Sequence, residues 1–226
     1  MITILRCRLK NEKAGLGLHA TDNQVANLTQ RSNSLQRRID SWAKLQYLFL
    51  PILAAERVRN SADVDAIIPP ESYQLLLPSE IRNSFPCDEK LQLIEWRLRY
   101  GQAHDALHAI RSNLRIRSYV LKYKDRNLRG QGANTRAHNT LKRIEARIDM
   151  AASRYGATHT ALVRLSPLLK KSGWSSVLRP LLHVDIRGMS DLLDGETEGT
   201  RKISWIWNMH GAIGDDVDAD GALQGQ

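Results

Sequence analysis

The chain is 226 residues long, 42% hydrophobic and 25% charged, and its 33 Lys plus Arg against 24 Asp plus Glu give a formal net charge of +9. No apolar run approaches the roughly 20 residues that cross a bilayer, which excludes a membrane-spanning protein, and Arg6 interrupts the start before a secretory apolar segment can form. Two cysteines, Cys7 and Cys87, supply neither a disulfide framework nor a CxxC metal knuckle, which points to a reducing, intracellular setting.

Aromatics at 6% and a mean hydropathy of -0.40 favour amphipathic helices over a thick core. Residues 1–20 carry Gly15 and Gly17 and no sustained period, and read as a poorly ordered lead-in. A first helix is predicted over 21–60, with Thr21 or Asp22 as its cap and Leu28, Leu35, Trp42 and Phe49 at heptad spacing; Val25, Ile39 and Leu53 fill alternate positions, and Pro51 kinks or ends the regular part. A linker over 61–87 contains Pro69, Pro70 and Pro78.

A long antiparallel helical hairpin is predicted over 88–166. Asp88 caps its first helix, over 89–129, in which Leu107, Leu114, Leu121 and Leu128 form one row and Ala103 and Ile110 begin another. The second helix, over 133–165, repeats the arrangement with Leu141, Ile148, Tyr155 and Leu162 beside Ile144, Ala151 and Leu165. In the turn "RGQGANT", Gly130 and Gly132 offer the positive φ values that close such a hairpin. Pro167 stops the second helix, short helices follow over 167–207, and Trp205 and Trp207 dock that segment onto the bundle. Beyond Met189 the chain holds eight acids and two bases, and 208–226 read as a disordered acidic tail. The predicted fold class is all-α: an elongated antiparallel helical hairpin or coiled coil with an additional packed helix and the disordered tail.

Charge is concentrated, since Arg111 to Arg147 holds eleven bases and two acids. On an ideal helix Arg97, Arg111, Arg115, Lys122, Arg126 and Arg129 fall within about 60° of one another, about 100° from the leucine row. That stripe is roughly 48 Å long, enough to follow several phosphates of a nucleic acid. Tyr119 and Tyr123 interleave with it, and Arg136, Lys142 and Arg143 of the second helix complete the candidate nucleic-acid-binding set. The same pattern fits the solvated flank of a coiled coil whose cations pair with neighbouring acids. The second helix offers only Glu145 and Asp149 nearby, and the acidic tail is a third candidate to cover the stripe.

His104, Asp105 and His108 have the spacing of a zinc-protease helix, but Asp replaces Glu, no third ligand follows and the neighbouring arginines repel a cation. "RGQG" lacks the Lys-Ser/Thr ending of a phosphate loop. "DDVDADG" lacks the closing Glu of a calcium loop. No catalytic residue, metal ligand or cofactor is assigned from these patterns.

The motifs "GQAHDAL" and "RGQGANTRA", followed by "GWSSVLRPLLHVDIRGMSDLL" and "SWIW" and preceded by "PPESYQLLLPSEI", resemble the C-terminal helical region of the KDZ (Kyakuja, Dileera, Zisupton) transposases of fungal mobile elements. The resemblance covers roughly Leu28 to Trp207. In that family the chemistry is attributed to an RNase H-like domain on the N-terminal side, whose acidic residues would hold divalent metal for strand transfer. No residue here corresponds to that site. The resemblance therefore implies a truncated, non-catalytic nuclear protein of a mobile element. Its partners would be DNA, held nonspecifically, or else a second copy or the remainder of a transposase; the alternative is a coiled-coil self-association module or an inert remnant.

Overall fold

The computed structural model describes residues 2–17, 20–53, 57, 68–81, 86–189 and 202–209. Among them every regular element is helical: α1 (Ile2–Ala14), α2 (Asp22–Phe49), α3 (Pro78–Ile81), α4 (Glu89–Asn127), α5 (Gln131–Leu165) and α6 (Trp174–Val177), with single 3-10 turns at His183–Asp185 and Trp205–Trp207. The chain forms two compact units, Met1–Ala103 with Gly156–Ser172 and His104–Tyr155 with Gly173–Gln226. Helices α4 and α5 pack together and contribute to both.

The first unit corrects the expectation of a loose lead-in. Residues Ile2–Ala14 are helical because Ile2, Leu5 and Leu9 recur at helical spacing and find a partner in α2. Leu9 is buried with Leu35, Ile39 and Leu75, and Leu28, Trp42, Tyr73 and Leu77 pack around them. The link is also electrostatic, since Glu12 accepts from Arg8 at 2.9 Å and pairs with Arg31 of α2 at 2.6 Å. Helix α2 opens with a reciprocal cap, in which the Thr21 hydroxyl accepts from the Gln24 N–H and the Gln24 side chain accepts from the Thr21 N–H. Its regular part ends at Phe49, with Pro51 two residues on, and among the described residues Ile52, Leu53 and Arg57 are helical again.

The linker is also more structured than its prolines suggest. Tyr73, Leu75 and Leu77 join the α1–α2 core, and Leu50, Leu53 and Ile81 form a second cluster with Leu76, Cys87 and Leu91. A buried polar knot secures α3: the Glu95 carboxylate accepts from the Ser79 N–H at 2.9 Å, the Ser79 hydroxyl at 2.7 Å and Arg99 Nε at 3.2 Å. Glu95 thereby satisfies a free N–H at the start of α3 and neutralises a buried guanidinium.

In the second unit, Ala106, Leu107, Ile110 and Leu114 of α4 are buried, as are Ala137, Ile144, Ile148, Ala151 and Tyr155 of α5. The heptad row continues to Leu121, but burial does not, and Leu121 is 39% exposed. The opening turns of α5, "QGANTRAHNT", offer only Ala133 and Ala137 as apolar partners. The reversal uses Gly130 at φ +85, whereas Gly132 lies inside α5. Asn134 donates its amide to the Gly130 carbonyl at 3.0 Å. The described residues beyond Gly173, 174–189 and 202–209, form a strap: Tyr155 Oη donates to the Arg179 carbonyl at 2.6 Å, Ser204 Oγ to the Asp185 carbonyl at 2.8 Å and Trp207 Nε1 to the Arg187 carbonyl at 2.9 Å. Ile206 and Trp207 are buried. The expected disordered tail lies, from residue 210 onward, outside the described residues.

Candidate nucleic-acid interface

The nine candidate cations do not form one continuous stripe. Arg97 is exposed on the part of α4 that belongs to the first unit, and the other eight belong to the second. Arg111 is 6% exposed. Its Nη1 donates to the Ile206 carbonyl at 3.1 Å, so it anchors the strap instead of facing a ligand. Burial, with Arg115 nearby, lowers its pKa from the ordinary arginine value. Arg115 lies over the Trp207 ring, 5.3 Å from the centroid, and remains exposed at its other side. Arg129 is beyond the end of α4, where its Nη1 donates to the carbonyls of Asp125 at 3.4 Å and Leu128 at 3.2 Å. It closes the helix end, where cations are favoured by the free carbonyls.

Lys122, Arg126, Arg136, Lys142 and Arg143 are all exposed. Among the described residues none of these five takes part in an ion pair. Glu145, one of the two acids available to neutralise the cluster, is 3.2 Å from Nη1 of Arg117, a residue outside the predicted set. Arg117 occupies the position on α4 three residues after Leu114, on the contact line with α5, and its long side chain reaches an acid that the stripe would otherwise share. The heptad register contained that signal, since a charged residue on the contact line needs a partner across it.

Helix geometry sorts the exposed cations further. Arg115, Lys122 and Arg126 fall within about 40° of one another on α4. On α5, Arg136, Arg143 and the previously unselected Arg147 also fall within about 40°, whereas Lys142 shares its arc with Glu145 and Asp149. The two rows leave the contact line in opposite rotational senses, which in an antiparallel pair places them on opposite sides. Tyr119 and Tyr123 border the α4 row, 71% and 50% exposed. One row of three cations with two exposed aromatic rings suits phosphates followed by sugars or unstacked bases.

His104 is half-buried, and burial lowers its pKa from the ordinary 6.5; Arg111 acts in the same direction and Asp105 against it. Comparison with protein-family models, with curated proteins and with solved structures gives no match for this chain.

Proposed function

We propose that this chain is the non-catalytic C-terminal part of a KDZ-like transposase and that its second unit holds duplex DNA in the nucleus through phosphate contacts, independently of sequence. The support for the family is the resemblance of the motifs between Leu28 and Trp207. The observation that carries DNA binding is the α4 row, where Lys122 and Arg126 are exposed without an ion pair among the described residues while Glu145 is engaged by Arg117. No step of strand transfer is assigned to any residue.

Three cations engaging duplex phosphates give a slope of log affinity against log salt of about -3, where six on one face would give about -5. Fluorescence anisotropy with random duplexes at several salt concentrations measures it. Lys122→Glu with Arg126→Glu should weaken binding to all duplexes alike and flatten the slope by about 2 units, with unchanged far-ultraviolet circular dichroism. Failure of the wild-type chain to bind at low salt, or equal binding by the variant, would reject the interface.

Self-association is the second reading, favoured by Leu45, Tyr47, Leu48 and Phe49, which are consecutive or nearly so and all exposed at the end of α2. Such clustering exceeds the scattered apolar exposure of an ordinary surface. Sedimentation velocity separates the readings: an apolar contact persists in high salt, and DNA binding through the row is lost there.

A further inference from the structure

The face of α4 turned away from the hairpin core carries aromatic rings where a solvated helix would carry polar or charged chains. On an ideal helix Tyr119 and Tyr123 lie about 160° from the buried line of Leu107, Ile110 and Leu114, so neither ring serves the packing of the second unit. Both are exposed, and exposed Ile116 continues the same face. Among the described residues neither ring stacks on another or lies under a cation, and neither phenol makes a hydrogen bond. Two aromatic surfaces one helical turn apart are thus left to water.

Cations and rings form two parallel rows. Tyr119 and Lys122 are three residues apart, as are Tyr123 and Arg126, and at that spacing side chains on a helix are neighbours. Each ring therefore stands beside one exposed cation, and the pairs repeat after four residues, roughly 6 Å along the axis. A strand of nucleic acid alternates anionic phosphates with planar bases in the same way. In a duplex, successive bases of one strand are about 3.4 Å apart, covered on both faces by the stack. Rings at the spacing of α4 can engage successive bases only where that stack is opened to nearly twice its step, which costs least in an unpaired strand.

We infer that this face of α4 is a site for single-stranded DNA, in which Lys122 and Arg126 take phosphates and Tyr119 and Tyr123 stack on two successive bases. This role of the rings rests on the proposed DNA interface: a duplex engages the cations alone, and an unpaired strand engages cations and rings together. Stacking tolerates any base, because every base has a π-face, so the site stays indifferent to sequence. Salt screens the phosphate contacts and leaves the stacking. The three cations of the row give a slope of log affinity against log salt of about -2 on a single strand and about -3 on a duplex, so preference for the single strand grows as salt is added.

Fluorescence anisotropy of the full chain with oligothymidylate, with its duplex with oligoadenylate and with an abasic strand of equal length tests the site. The natural single strand is expected to bind on the order of tenfold more tightly than the abasic strand, which offers the same phosphates without bases. Tyr119→Leu with Tyr123→Leu keeps apolar bulk and removes the π-faces. That variant should lose on the order of tenfold in affinity for the natural single strand, with duplex and abasic binding nearly unchanged. Tyr119→Phe with Tyr123→Phe should restore single-strand binding. Both positions are exposed, so far-ultraviolet circular dichroism should be the same for all three proteins. An abasic strand bound as tightly as the natural one, or a natural strand bound equally well by the Leu variant, would overturn the single-strand site, while duplex binding in the same titrations would leave the phosphate interface standing. Absence of duplex binding, with single-strand binding that depends on the two rings, would reject the duplex reading and keep the site. A chain that binds neither form rejects both.

Discussion

At the scale of single residues, the same heptad letter carries different weight at different heights. Leu114 is fully buried, and Leu121, one heptad on, is 39% exposed. Truncation of Leu114 to Ala should cost about 2 to 5 kcal/mol through lost transfer energy and a cavity, and Leu121→Ala less than about 1 kcal/mol, as read by chemical denaturation. Equal losses would show that the two positions are packed alike. Glu95 is the polar counterpart: it accepts from Ser79 and Arg99 in a buried setting. Removing it by Glu95→Ala leaves Arg99 buried without its carboxylate and should cost about 3 to 5 kcal/mol, while Glu95→Gln, which retains an acceptor for Ser79, should cost less. A neutral Glu95→Ala variant would mean that the knot contributes nothing net. Neither role was legible in the heptads, because Glu95 and Arg99 alone look like an ordinary i,i+4 surface pair.

At the scale of elements, the cations of the hairpin belong to two rows, and this changes what mutagenesis should find. Lys122→Glu with Arg126→Glu removes the α4 row, and Arg136→Glu with Arg143→Glu removes the α5 row. Because the rows lie on opposite sides of the pair and the proposed interface is the α4 row, the first double variant should weaken duplex binding and the second should leave it nearly unchanged; anisotropy at low salt distinguishes them. Equal weakening by the two double variants would show that the interface is not confined to the α4 row. The long helices themselves follow from sequence: the apolar rows span α4 and α5, and the turn falls at Gly130, where φ is +85. Helix α1 was hidden because its apolar face covers barely three turns. A period that short is not distinctive until α2 supplies the surface that buries it.

At the scale of the whole molecule, stability should fall on acidification in two steps. The folded His104 takes its proton later than the unfolded chain, because burial, aided by Arg111, lowers its pKa. The stability it contributes is complete above the ordinary 6.5 and is lost as pH falls from there through the lower folded value. A second loss belongs to Glu12 and Glu71. Burial works against both carboxylates, but hydrogen bonds from Arg31 and Arg8 to Glu12, and from Lys13 to Glu71, outweigh it and hold them below 4.5. Their contribution is present above that value and lost as pH falls through the folded ones. Denaturation midpoints between pH 7 and about 3 should therefore decline twice, and His104→Gln should remove the first decline; a flat profile from pH 7 to about 5 would contradict the assignment. What the sequence by itself determined is the helical class, the paired long helices and the excess of positive charge, because periodicity, turn glycines and charge counts are local or additive properties. Which cations are exposed and unpaired among the described residues was decided only by tertiary structure. Arg111 and Arg115 meet a strap about 90 residues away along the chain, and Arg117 takes Glu145 across the hairpin. Burial and pairing of a charge depend on what the fold brings to it from a distance, and no period along the chain encodes that.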